Sequence, residues 1–161
     1  MERTKLLQRA EQEAANALPA GKEPGIKFQR RGGSRYWDDA SYREIFDVHF
    51  RVWKRSAYYA VILDPDTGAP LAWTNSTALA ETKPGSITGQ EAIAIAQEDA
   101  KKHIPADAGM PCVSDITEQG NALILVAWKS ASTGETIEVT VHPGLKKVCR
   151  MQRKTYPPAI K

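Results

Sequence analysis

The sequence is poor in the residues on which most site chemistry depends. Only two of its 161 residues are cysteine, Cys112 and Cys149, and only three are histidine, His49, His103 and His142. Neither type falls in a metal-ligand spacing, for there is no Cys-x-x-Cys pair and no His-Glu-x-x-His helix. Two cysteines cannot build a disulfide scaffold, and one bridge or two reduced core thiols fit the sequence equally well. A glycine-rich phosphate loop is missing too. No apolar run approaches the ~20 residues that span a bilayer, so membrane insertion is not expected. Net charge is scarce as well: +3 favours solubility without implying a nucleic-acid partner. Met1-Glu-Arg-Thr-Lys enters a polar helical pattern with no apolar signal core. The sequence therefore predicts a cytoplasmic protein if Met1 is the native start, and a periplasmic or secreted one if a leader has been removed.

What is present is a repeat. Ala10-Glu-Gln-Glu-Ala-Ala-Asn-Ala-Leu-Pro-Ala20 lies over Ala96-Gln-Glu-Asp-Ala-Lys-Lys-His-Ile-Pro-Ala106 at an offset of 86. Val61-Ile-Leu-Asp-Pro65 lies over Val139-Thr-Val-His-Pro143 at an offset of 78, and Trp53-Lys54 over Trp128-Lys129 at 75. Two unlike elements recur in the same order, so the chain reads as two copies of one small unit. The shrinking offset places extra residues in the first copy, between helix and sheet, where connections tolerate insertion.

Helical spacing marks Leu7, Ala10, Ala14 and Leu18, and again Ile93, Ala96, Ala100 and Ile104, each run ended by a proline. Thr88 with Glu91 forms a capping-box pattern at the start of the second helix. Phe46, Val48, Phe50 and Val52 alternate with Asp47, His49, Arg51 and Trp53, as in a strand with one buried face. Tyr58 to Leu63 and Leu71 to Trp73 follow as strands, separated by the turn Asp64-Pro-Asp-Thr-Gly68. The second copy gives strands at 121–129, 136–141 and 147–152, with turns at Ser132-Thr-Gly134 and His142-Pro-Gly144. The predicted fold is α+β: two tandem units, each an N-terminal helix packed on an antiparallel meander of three to four strands. Residues 1–74 form the first unit, with an insertion at 20–45. A linker at 75–86, a second unit at 87–155 and a tail at 156–161 complete the chain.

No constellation of catalytic residues emerges. The three histidines fall on a strand, a helix end and a turn, and His103 near a helix C-terminus suits the dipole there. Cys149 with His142 lacks an oxyanion donor and an orienting group. Asp64 and Asp66 read as turn residues. No cofactor or metal is expected. The segment from Lys22 to Asp39 stands out instead, since it brings Lys27, Arg30, Arg31, Arg35, Tyr36 and Trp37 together among glycines. Arginine, tyrosine and tryptophan are the types enriched at binding hot spots, and a glycine-rich loop can present them to a protein partner. The same mixture can stack on single-stranded nucleic acid, but the mild charge argues against it. A second candidate is a tryptophan patch, in which Trp53, Trp73 and Trp128 share the outer face of the sheet or the seam between the units.

The run from Tyr59 to Leu71, an apolar strand, Asp-Pro-Asp-Thr-Gly and a further apolar strand, resembles the PepSY domain family. His142-Pro-Gly144 departs from that pattern in the second copy. The resemblance implies a non-enzymatic module, since relatives occur in propeptides of thermolysin-like metallopeptidases and in bacterial envelope proteins, with a suggested inhibitory or regulatory role. No shared catalytic residues carry over. The general shape also resembles the cystatin fold, but a Gln-x-Val-x-Gly inhibitory loop is missing. The expectation is therefore a protein-binding module, with a peptidase as one partner class. The alternative is an assembly protein whose sheets pair between chains.

Overall fold

The structure, a computed structural model, describes residues 1–17, 28–36, 44–52 and 58–154, with 15–17, 28–36, 44, 51–52 and 58 described as backbone. The chain divides into two compact units, Met1–Thr77 and Ala78–Lys161.

In the first unit, α1 (Arg3–Ala17) precedes β1 (Phe28–Tyr36), β2 (Glu44–Val52), β3 (Tyr58–Leu63) and β4 (Pro70–Asn75). These strands form an antiparallel meander in the order β1-β2-β3-β4. Apolar residues at alternate positions share one face, where Phe46 pairs with Leu63, and Val48 with Val61 and through it Trp73. All five are buried. Leu6, Ala10 and Ala14 of α1 close this core, at four-residue spacing that places them one above another on the helix. The buried stripe starts at Leu6, one residue before the Leu7 that spacing alone suggests. The four-residue rows of a helix drift around its axis, and the sheet selects the row centred on Ala10.

The second unit repeats the plan with α3 (Gly89–Ala100), β5 (Cys112–Glu118), β6 (Asn121–Lys129), β7 (Thr136–His142) and β8 (Lys147–Lys154), its strands in the order β8-β7-β6-β5. Thr88 caps α3 as expected. Its hydroxyl accepts from the Glu91 amide, and the Glu91 carboxylate accepts from the Thr88 amide, both at 3.1 Å. Ala92, Ala96 and Ala100 are fully buried, each 86 residues beyond its counterpart Leu6, Ala10 or Ala14. Val48 and Val126, Val61 and Val139, and Trp73 and Met151 occupy matching register positions, all 78 residues apart. By the same register Trp128 answers Phe50, at offset 78, rather than Trp53.

The residues between helix and sheet are also redistributed. The segment at 28–36 is a strand with a counterpart in β5: Gly32 and Val113, opposite Val48 and Val126, are 81 residues apart, so five of the eight extra residues of the first unit precede β1 and three lie between β1 and β2. Seven residues, 37–43, separate that pair, whereas Gln119 and Gly120 alone join β5 to β6. Both have positive φ (51° and 78°), the backbone of a tight two-residue hairpin whose twist matches its strands.

Three other hairpins share one closure. In Asp64–Ala69, Ser130–Glu135 and His142–Lys147 the amide four residues on donates to the first residue's carbonyl, at 2.8, 3.0 and 2.8 Å. The amide three residues on donates to that residue's side chain, Asp64 Oδ1, Ser130 Oγ or His142 Nδ1, at 3.2, 3.3 and 3.2 Å. The fifth residue takes positive φ, 72° at Gly68 and Gly134 and 53° at Lys146. His142-Pro-Gly144 is thus the same turn with imidazole as the acceptor. Because Nδ1 accepts, the proton lies on Nε2, which donates to the Glu81 carbonyl at 2.6 Å.

That bond ties down the stretch expected to be a linker. A short helix, α2 (Ser76–Ala80), occupies its start. Ala78 and Leu79 pack with Leu123 and Cys149, against Ile116 and Leu145. Asn121 Nδ2 donates to the Leu79 carbonyl at 3.0 Å. Strand β6 is consequently buried on both faces at this end, which is why Leu123 and Ile124 are buried side by side and why its sequence is apolar almost throughout. A Cβ on Gly144 would collide with the Lys83 carbonyl, and one on Gly85 would lie 2.8 Å from the Gly144 Cα. Gly144→Ala is therefore expected to destabilise the protein by about 1–3 kcal/mol in denaturant titration. Gly109→Ala, with open space around its Cβ, should stay within about 0.5 kcal/mol of the parent.

Candidate partner-binding edges

A four-stranded meander has two outer strands, and in each unit the first is open on one side among the described residues. Strand β1 pairs with β2 over nine positions, from Phe28 opposite Val52 to Tyr36 opposite Glu44. Arg30 lies opposite Phe50, Arg31 opposite His49, Arg35 opposite Ile45, and Gly32 and Gly33 opposite Val48 and Asp47. The sequence suggests a loop here, because arginine and glycine have little strand propensity. Pairing with the apolar β2 overrides that local preference. Of the six residues singled out in the sequence, Arg30, Arg31, Arg35 and Tyr36 thus share one strand, while Lys27 and Trp37 lie outside the described residues. Backbone donors and acceptors along the open side are the raw material for pairing with another strand.

Strand β5 is the corresponding edge of the second unit. Its seven pairs with β6 run from Cys112 opposite Ala127 to Glu118 opposite Asn121 without a bulge. Cys112, Val113, Ser114 and Asp115 are all exposed. Val113 is 39% and the nearby Met110 87% exposed, two of the few large apolar side chains that reach solvent among the described residues. Glu118 is tied to Arg150 at 2.7 Å. Sequence reasoning passed over this strand because few of its residues are apolar. Only the Gln119-Gly120 hairpin signal could have marked it.

Other polar groups among the described residues make the following contacts. Asp47 and His49, two apart on β2, meet at 2.8 Å. Asp107 accepts from the Ser130 hydroxyl at 3.0 Å and from the Ser132 amide at 2.8 Å, which fixes residues 105–108 to the β6–β7 turn. Hydrogen bonds from Ser132, side chain first and then backbone, and from the Ser130 hydroxyl hold the Asp107 carboxyl below its ordinary value. Both ring nitrogens of His142 are engaged, as above. Asp64 serves its turn as expected, accepting from the Asp66 amide at 2.8 Å as well. His103 is buried past the end of α3. Among the described residues no three histidine, cysteine or acidic side chains converge as a metal site.

Two expectations are corrected. Trp73 and Trp128, at 8% and 3% exposure, belong to the apolar cores and form no outward patch; Trp53 lies outside the described residues. Their register, Trp73 with Val61 and Trp128 with Ile137, places them on the helix-facing side of each sheet. The cysteines are both free, Cys112 exposed on β5 and Cys149 buried on β8, with β6 and β7 between these strands. Burial pushes the Cys149 thiol up to about 11, and its Sγ lies 3.5 Å from the Thr140 carbonyl.

No protein-family model matches the chain, and comparison with curated proteins gives no match. Among solved structures the chain is similar to the Bacillus megaterium YpeB C-terminal domain, with a TM-score of 0.60 and 11% identity over 100% of this chain and 71% of that one. At that identity the likeness bears on the fold alone, and it agrees with the α+β architecture described above.

Two measurements check the site chemistry. A thiol reagent should label the native protein once, at Cys112, and reach Cys149 only after unfolding; rapid double labelling of the native state would contradict the burial of Cys149. The depressed Asp107 value means that its contribution to stability is complete above the unfolded carboxyl value of 3.8 and is lost as pH falls through the folded value. Asp107→Asn should therefore flatten the acid limb of a stability-versus-pH curve.

Proposed function

We propose that this chain is a non-enzymatic protein-binding module of two PepSY-like units, and that β1 is its binding edge, receiving an extended acidic segment of a partner protein. The observation that carries this reading is the position of Arg30, Arg31 and Arg35 on a strand open along one side. An incoming strand would gain main-chain hydrogen bonds there, while the arginines would select for carboxylates. The adjacent Gly32 and Gly33 fit the same use, because glycine within a strand often marks close approach of another backbone. Lys27, Tyr36 and Trp37 flank these arginines in the sequence. A peptidase, inhibited or regulated at the bacterial envelope, is the partner class suggested by the PepSY resemblance.

The test is binding of a fluorescent acidic peptide of extended conformation, read by anisotropy. The parent protein is expected to bind it with an affinity that falls as salt rises. Arg30→Ala, Arg31→Ala and Arg35→Ala combined should weaken binding by about tenfold or more while leaving the circular dichroism spectrum unchanged. Equal binding by parent and triple variant would reject the site. Against a metallopeptidase, stoichiometric inhibition that disappears on replacing Arg35, Tyr36 and Trp37 by alanine would establish the finer function.

A further inference from the structure

The two edges that are open among the described residues are opposite in character. Strand β1, Phe28-Gln-Arg-Arg-Gly-Gly-Ser-Arg-Tyr36, carries three arginines and no acid, whereas β5, Cys112-Val-Ser-Asp-Ile-Thr-Glu118, carries two acids and no base. Glu118 is already committed to Arg150, so Asp115 supplies the exposed charge. Beside it Val113 and Met110 show apolar surface that a partner would cover.

An edge strand normally discourages further pairing through charge, proline, a bulge or short length. Along its seven residues β5 has no proline, no bulge and no lysine. Its one exposed charge repels another copy of itself and attracts β1. Arginines on β1 likewise discourage β1 from pairing with β1 and leave an acidic strand as the matching guest. Both edges are regular and long enough to form several main-chain hydrogen bonds.

We infer that the acidic guest of β1 includes β5 of a second copy of this chain, so that copies join head to tail through a β1–β5 strand pair. This inference rests on the reading of β1 as a binding edge and names a partner for it. The contact is heterologous, since each copy offers a basic edge to one neighbour and an acidic edge to another. Such contacts produce rings or open chains rather than isologous dimers. One strand pair buries far less than a permanent interface needs, so assembly should be weak, concentration-dependent and sensitive to salt.

Light scattering on the full chain, at low and high salt, tests this with two variants. The first, Val113→Lys with Asp115→Lys, makes β5 basic at exposed positions and leaves β1 intact. The second, Arg30→Glu, Arg31→Glu and Arg35→Glu, makes β1 acidic and leaves β5 intact. The parent mass should rise by about twofold or more with concentration at low salt, and fall back at high salt. Each variant alone should stay monomeric, and an equimolar mixture should assemble again, because the basic β1 of the first meets the acidic β5 of the second.

A parent that stays monomeric at every concentration would overturn the inference, as would variants that assemble alone like the parent. The acidic-peptide assay separates this result from the broader reading. If the first variant still binds the peptide while the parent never assembles, the β1 site stands and the β5 partner falls. If the peptide does not bind and the parent does not assemble, both fall.

Discussion

Ala10 and Ala96 have no exposed surface, and neither do Ala92 and Ala100. On each helix the residues that face the sheet are mostly single methyl groups, so the helix backbone can approach the strands closely. The large side chains that fill the core come from the sheet: Phe46, Phe50 and Trp73 in one unit, and Ile137, Trp128 and Met151 in the other. Interiors are packed to crystal-like density, so a small residue on one layer requires a large one opposite. Strand register, the choice of helical face and the burial of both tryptophans follow from that division of volume.

Hairpin closure supplies the second constraint. Three turns bond the first residue's carbonyl and side chain to the amides that follow, and the side-chain acceptor varies: carboxylate, hydroxyl or imidazole. Imidazole has a second nitrogen, and its proton is free to bind elsewhere. His142 uses it to hold the Glu81 carbonyl, which brings residues 78–85 onto a face of the second sheet that would otherwise be open. Departure from the Asp-x-x-Thr-Gly pattern is thus a gain of one tertiary hydrogen bond at unchanged turn geometry.

A meander whose first strand is paired on one side alone leaves, among the described residues, an open edge in each unit. Among the described residues the polar groups of Asp64, Asp107, Ser130 and His142 are engaged in turns. The edges differ in charge although β1 and β5 hold the same place in their units. Binding through main-chain hydrogen bonds needs few particular side chains. Such a module can therefore keep its architecture while its specificity is set by a few charges along one strand.

Within the sequence itself, signals of short range were decisive. The capping box at Thr88, the alternation from Phe46 to Phe50, the turn at Asp64 and the repeat of helix and meander each depend on residues a few positions apart, and each is present as read. The basic residues at 30–36 were also visible, as a cluster of binding types. Contacts between distant residues decided the rest. Pairing with β2 turned a glycine- and arginine-containing segment into a strand. Packing drew Trp73 and Trp128 inside, the sheet order set Cys112 and Cys149 on different strands, and His142 fastened a stretch that looks like a linker. Propensity and periodicity act within one element, whereas the partner of a strand and the side that faces water are properties of the assembled layers.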